Sequence, residues 1–131
     1  NGSDTIIPVK PNTIAKSIAI GNPADGYYGI KTTNESGGWG EDVSDEEVVE
    51  SMKLLAETEG IFTETAGGVT LGVTQKLIKQ GRIKPDETTV ICITGNGLKT
   101  QEALAGHFIA PAVIQPNIQS FEEEFANSLT V

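Results

Sequence analysis

Apolar residues recur at helical spacing in two stretches of the chain. Val48, Val49, Met52, Leu55 and Ala56 fall on one stripe, the pattern of a helix that rests one face on a core. Ser44-Asp45-Glu46-Glu47 stands just before them. That spacing is a capping box, in which the serine hydroxyl takes an N–H of the first turn and the glutamate reaches back. It predicts a helix from this point through about Glu59. Val69, Val73 and Leu77 repeat every four residues and predict a second helix over about 66–80, with Gly81 as its stop. Gly67, Gly68 and Gly72 each lower that helix's propensity by up to about 1 kcal/mol relative to alanine. Glycines there point to close approach by a backbone or a ligand, with packing onto a sheet the commoner cause.

A different pattern fills Thr88–Thr94, a β-branched run with no polar alternation until its end. It predicts a central strand buried on both faces, as in a parallel sheet under helices. With a minimal strand at Ile61–Thr63, residues 61–94 make a βαβ unit, which would be right-handed. Elsewhere the signals are shorter. Ile14 and Ile18 suggest a short helix within 12–20. Asn22-Pro23 suits a helix start, the asparagine as cap and the proline in the first position. That helix would run to about Ser36 and end at Gly37-Gly38. Trp39–Val43 is a strand candidate, Thr5–Val9 is β-prone, and Ser120 with Glu123 could open a last helix carrying Phe121 and Phe125. The whole reads as one α/β domain over residues 1–131.

Composition narrows the function classes. The 131 residues suffice for one core. A net charge of −9, from 9 basic and 18 acidic side chains, argues against nucleic acid as a partner, because phosphate binding needs clustered lysine and arginine. The single Cys92 excludes an internal disulfide and a cysteine-based zinc site. Set inside Val90–Ile93, it reads as a small buried hydrophobe. The lone His107 makes no metal cluster by itself, so no metal site is expected. No apolar run approaches the roughly 20 residues of a membrane span, and no signal peptide pattern is visible. A cytoplasmic protein is the default. The chain opens Asn-Gly-Ser without an initiator methionine, as a trimmed chain, a cleavage product or a piece of something longer would.

Three spots carry candidate chemistry. In Ile93-Thr94-Gly95-Asn96-Gly97 a hydroxyl residue ends the predicted strand and a glycine turn opens the space above it. Ligands of open α/β sheets bind outside such strand ends, so Thr94 either offers a ligand one hydrogen bond or belongs to an ordinary turn. In Thr63-Glu64-Thr65-Ala66-Gly67-Gly68 an acid and small residues precede a helix. The helix dipole there could face an anion, or Glu64 or Thr65 is merely the cap. In Ile20-Gly21-Asn22-Pro23, Gly21 would admit a close backbone approach, while Asn22 caps a helix or lines a pocket. Walker loops, Gly-x-Ser-x-Gly and His-Glu-x-x-His patterns are all absent from the sequence.

At these three spots the chain resembles the threonine synthases. The resemblance runs through Lys10–Asp25, Val43–Glu47, Leu55–Glu64, Ala66–Val69 and Thr94–Lys99. Each piece is weakly specific, and their order and spacing together are highly specific. Residues 101–131 are compatible with a variable C-terminal tail. The resemblance implies a fold-type II pyridoxal-phosphate enzyme, whose large domain is a three-layer sandwich of mainly parallel strands between helices. It implies conversion of O-phospho-L-homoserine and water into L-threonine and phosphate. Thr94 matches the hydroxyl that hydrogen-bonds the cofactor's pyridine nitrogen, a partner that leaves this nitrogen largely unprotonated. Gly95 would keep the turn close to the ring. Gly21 and Asn22 resemble a segment lining the cofactor cleft, and Glu64 matches the acid of a Glu-(Pro/Thr)-(Ala/Ser)-Gly element near it.

The departures bear on mechanism. The family's Schiff-base lysine lies in a Ser-x-Lys stretch with no counterpart among the eight lysines here, so no catalytic residue is assigned. The glycine-rich phosphate loop would lie upstream of residue 1, as would the groups that hold the substrate phosphate. The chain is therefore expected to be the C-terminal portion of a larger enzyme. It would be inactive alone, bind no cofactor covalently, and need the N-terminal part as its partner. A homodimer is left open. The alternatives are a piece of a related serine/threonine dehydratase or cysteate synthase, or a free-standing non-catalytic binding module.

Overall fold

The computed structural model describes residues 5–108 and 112–126. Four α-helices follow one another in these residues: α1, Gly26–Ser36; α2, Asp45–Glu59; α3, Thr65–Lys79; and α4, Ile118–Phe125. Short 3-10 turns occur at Lys16–Ile18, Gly97–Lys99 and Gln101–Leu104.

Helix α2 starts where its local chemistry dictates. The Ser44 hydroxyl accepts from the Glu47 N–H at 3.2 Å, and the Glu47 carboxylate accepts from the Ser44 N–H at 2.7 Å. Gly60 closes the helix in the left-handed conformation (φ 67°), its N–H turned back to the carbonyls of Leu55 and Ala56. The predicted stripe is the core. Val48, Val49 and Met52 are buried together with Leu104, and Ile14, Val43 and Val69 pack against them.

Helix α3 packs directly on α2, and its glycines make this possible. A Cβ on Gly68 would stand 2.7 Å from the Val48 carbonyl oxygen and 2.8 Å from Met52 Cγ. One on Gly72 would meet Ser51 Oγ and Val43 Cγ1, each at 3.0 Å. The sequence favoured a sheet as the surface that these glycines approach. The surface found is helix α2 for Gly68 and, together with Val43, for Gly72, whereas Gly67 faces the Thr63 side chain.

Asp45, in the first turn of α2, anchors the chain leading to the core. Its carboxylate accepts from the Thr13 hydroxyl at 2.6 Å and the Ile14 N–H at 3.1 Å. Residues 12–20 form only the three-residue 3-10 turn, not a longer helix. Helix α1 begins at Gly26 with Asp25 in the cap position and no side-chain cap bond. Asn22 therefore does not cap it. Helix α4 is capped by Asn117, whose side chain accepts from the Ser120 N–H at 2.8 Å. Ser120 thus lies inside the helix whose start it was expected to mark, and Phe121 and Phe125 pack ring to ring at 5.0 Å.

Strands are where sequence and structure part. Among the described residues there is no strand, only an isolated antiparallel bridge between Thr63 and Asn96. Trp39–Val43 and Thr88–Thr94 have no regular secondary structure. Val90 is 83% exposed, and Cys92, expected to be buried, is exposed as well. A central strand needs a neighbour on each side for its N–H and C=O groups, and the described residues offer this run none. No described helix is long and apolar enough to cross a membrane.

Candidate functional site

Two of the three candidate spots meet. The Glu64 N–H donates to the Gly95 carbonyl at 3.2 Å, and the Thr63 hydroxyl donates to the same oxygen at 3.2 Å. The Gly97 N–H donates to the Phe62 carbonyl at 3.0 Å. These bonds lay residues 62–64 against 95–97 and deliver Glu64 to the start of α3. Side chains reinforce the junction. The space that a Cβ of Gly95 would need is already filled by the Glu64 side chain, so glycine is required here by the acid beside it. A Cβ on Gly97 would likewise run into the Phe62 ring, at 2.6 Å.

Glu64 occupies the cap position of α3 but does not cap it with its side chain. The first N–H of the helix, on Thr65, goes instead to the Thr100 hydroxyl at 3.2 Å. The carboxylate makes its contacts elsewhere. Glu64 is 6% exposed. Its Oε1 lies 3.6 Å from the Lys99 ammonium, and its Oε2 is buried with no hydrogen-bond partner. The Thr65 hydroxyl beside it is also buried and unpartnered. Buried polar atoms are satisfied in the great majority of native sites. Two unmet ones on consecutive residues mark a place where a further polar group belongs.

The remaining candidates lie at or beyond the edge of this junction. Thr94 directly precedes Gly95 and is exposed. Gly21 is held by its own chain, its carbonyl accepting from the Val9 N–H at 2.9 Å, with the Val9 carbonyl where a Cβ would go. The close backbone approach expected of Gly21 is therefore made by Val9. Asn22 is exposed. None of the described hydrogen bonds joins Gly21 or Asn22 to Glu64 or Gly95. A hollow of about 460 Å³ lies elsewhere, between α2 and α3, where Glu46, Glu50, Lys53, Gln75 and Lys76 line it. It touches none of the three spots, and its lining is a solvated charged face. Among the described residues no cluster of His, Cys, Asp and Glu could hold a metal ion.

Sequence reasoning quoted Thr63 within its second spot without giving the hydroxyl a role, and missed Thr100. The signal for Thr100 was indirect. Helix α3 opens on Glu-Thr without a serviceable side-chain cap, so its first N–H needed an acceptor from elsewhere.

A glycine turn set against a buried acid at a helix start is the local geometry, and the chain belongs to the family described as pyridoxal-phosphate dependent enzyme, which it matches over residues 1–95. Its relatives narrow the comparison. It is 46% identical over 99 residues to the threonine synthase of Methanocaldococcus jannaschii, an alignment that covers 75% of this chain and 24% of that protein. It is 40% identical over 113 residues to the threonine synthase of Halalkalibacterium halodurans, covering 86% of this chain and 32% of that one. With the threonine synthase of a Bacillus species it shares 37% identity over 115 residues, 87% of this chain and 33% of the relative. The chain thus spans a quarter to a third of the length of these relatives. Family membership supports the fold-type II class expected from the sequence.

Proposed function

We propose that this chain is the C-terminal portion of a threonine synthase, which converts O-phospho-L-homoserine and water to L-threonine and phosphate. The observation that carries the reading is the Glu64–Gly95 junction. It joins two separate pieces of the motif set at one place, next to two buried polar atoms that lack partners. The relatives' names give the product, threonine, and the substrate follows from the sequence resemblance.

Pyridoxal phosphate, when bound, supplies the electron sink that this chemistry needs. The residues present fit one wall of its site. Thr94 would offer its hydroxyl to the pyridine nitrogen, and Glu64, paired with Lys99, would lie near the cleft. Gly95 would let that acid sit close. Gly21 and Asn22 stay in this proposal only as part of a more distant cleft lining. In the complete enzyme we expect Thr88–Thr94 to join a mainly parallel sheet, with residues 101–131 as a variable tail. The cytoplasmic assignment and the option of a homodimer rest on the same reading.

The lysine that binds the cofactor covalently has no counterpart in this sequence, so the chain alone should not turn over. Two measurements test this. With pyridoxal phosphate and borohydride, intact mass should show no stoichiometric adduct on any one lysine. When the N-terminal two-thirds of a relative is supplied, phosphate release from O-phospho-L-homoserine should appear. Turnover by the chain alone would overturn the proposal.

A further inference from the structure

We infer that Thr100 is a positioning residue, the acceptor that fixes the start of α3 and thereby holds Glu64 against Gly95. Thr100 is 6% exposed, buried beneath the junction. Its hydroxyl accepts from the Thr65 N–H at 3.2 Å across 35 residues of sequence. Its backbone is fixed on both sides. The Thr100 N–H donates to Gly97 at 3.0 Å, and its carbonyl accepts from Ala103 at 3.0 Å.

Helix N-termini leave their first N–H groups without intrahelical partners, and a nearby side-chain oxygen ordinarily takes one. In α3 the residue in the cap position is Glu64, whose side chain does not do so. The Thr65 N–H is the first of the helix, and a side chain in the cap position serves the second or third instead. Thr100 takes this first N–H and so pins the residue that follows Glu64, whose carboxylate lies against Gly95 and Lys99 with its Oε2 open. The segment 95–100 therefore touches the Glu64–Thr65 pair three times: through the Gly95 carbonyl, the Lys99 ammonium and the Thr100 hydroxyl. The turn that carries Thr94 is tied to the helix start as one unit. Without the Thr100 hydroxyl, the helix start loses one of these three ties, and Glu64 is held less firmly against Gly95.

The consequence for catalysis rests on the threonine synthase reading, whereas the positioning itself does not. The test separates the two. In the full chain, Thr100→Val keeps the shape and removes the acceptor, and Thr100→Ser keeps the acceptor. By NMR, Thr100→Val should speed exchange of the Thr65 amide by about tenfold, the loss of one ordinary hydrogen bond. It should also move the Glu64 side-chain carboxyl signal, identified by its disappearance in Glu64→Gln. Thr100→Ser should leave both as they are. An unchanged Thr65 amide and Glu64 signal in folded Thr100→Val would overturn the inference. So would loss of both in Thr100→Ser, which would assign the effect to the methyl group. If Thr100→Val does not fold, the serine variant alone decides, because it must retain both signals. In the complete enzyme, Thr100→Val should lower kcat for O-phospho-L-homoserine by about tenfold for the same lost bond, with recovery in Thr100→Ser. Altered Glu64 signals with unaltered kcat would refute the catalytic consequence. Absence of any turnover in the wild type would instead refute the threonine synthase reading and leave the positioning intact.

Discussion

The Glu64 side chain stands in the space that a side chain on residue 95 would occupy, and the two backbones are joined there by the Glu64 N–H and the Gly95 carbonyl. Neither residue's identity is independent of the other. An acid with a shorter side chain would leave a gap, and anything larger than glycine at 95 would have to displace a buried carboxylate.

Gly95→Ala should therefore destabilise the fold by about 1–3 kcal/mol, the usual range for overpacking. The atoms in the way all belong to one side chain, so shortening it should relieve part of the strain. Glu64→Ala in the Gly95→Ala background should recover stability that Glu64→Ala alone does not provide. A double-mutant cycle from denaturant unfolding measures this coupling. Additive effects would show that the two side-chain positions do not compete.

The glycines of α3 and α1 should respond in opposite ways to the same change. Gly68→Ala gains up to about 1 kcal/mol of helix propensity, but its new methyl would meet the Val48 carbonyl, part of a helix backbone that cannot swing aside. The α2–α3 contact must open, at a cost of about 1–3 kcal/mol, so the melting temperature should fall. Gly29 lies in α1 with nothing within 4 Å of the added carbon. Gly29→Ala should then raise stability by roughly 0.5–1 kcal/mol. Paired thermal melts by circular dichroism check both signs.

How much of this was legible in the sequence depended on distance along the chain. Helix α2 was readable because its cap, its apolar stripe and its glycine stop all lie within 17 residues, Ser44 to Gly60. Local hydrogen bonds and a 3.6-residue period are sequence properties. The strand Thr88–Thr94 was predicted from composition, yet a strand exists only through neighbours, which sequence composition cannot supply. The glycines of α3 announced a close contact without naming the partner, because a missing side chain suits a helix, a sheet or a ligand equally. Glu64 and Gly95 each stood in a spot marked by local pattern, and the resemblance then gave each an expected role. Their direct contact, and the acceptor that Thr100 supplies to the Thr65 N–H from 35 residues away, leave no periodic trace at all.

The capping box should give the fold an acid-sensitive limb. The Ser44 N–H bond to its carboxylate, and after it the Lys76 ammonium 3.0 Å away, hold Glu47 below the ordinary glutamate value of 4.5. A group with a lowered folded pKa contributes stability that is present above its unfolded value and lost as pH falls through the folded one. The loss should begin below 4.5 and continue through the lowered folded value. Glu47→Gln keeps an oxygen for the Ser44 N–H but cannot titrate, so its melting temperature should fall less steeply in acid than that of the wild type. Lys76 is raised above 10.5, first by its hydrogen bond to Glu47. Its contribution is complete below 10.5 and is lost as pH climbs through the raised value, which gives an alkaline limb that Glu47→Gln should also flatten. Parallel acid and alkaline slopes for the two proteins would exclude this pair as the cause.

Cys92 offers the most direct reading of what surrounds Thr88–Thr94. Its thiol is exposed, as is Val90, although the β-branched run that holds them has the composition of a strand covered on both faces. If that run is completed by the N-terminal part of a threonine synthase, the exposure is a property of the isolated chain. An aromatic disulfide reagent should then modify Cys92 in the isolated chain at the rate of a free solvent-facing thiol. Addition of the N-terminal part should slow the reaction strongly, because attack needs access as well as thiolate. Protection should appear together with phosphate release and at the same molar ratio. Activity regained while Cys92 stays fully reactive would mean that the run never enters the sheet. Slow modification in the isolated chain would mean that the run already has cover of its own.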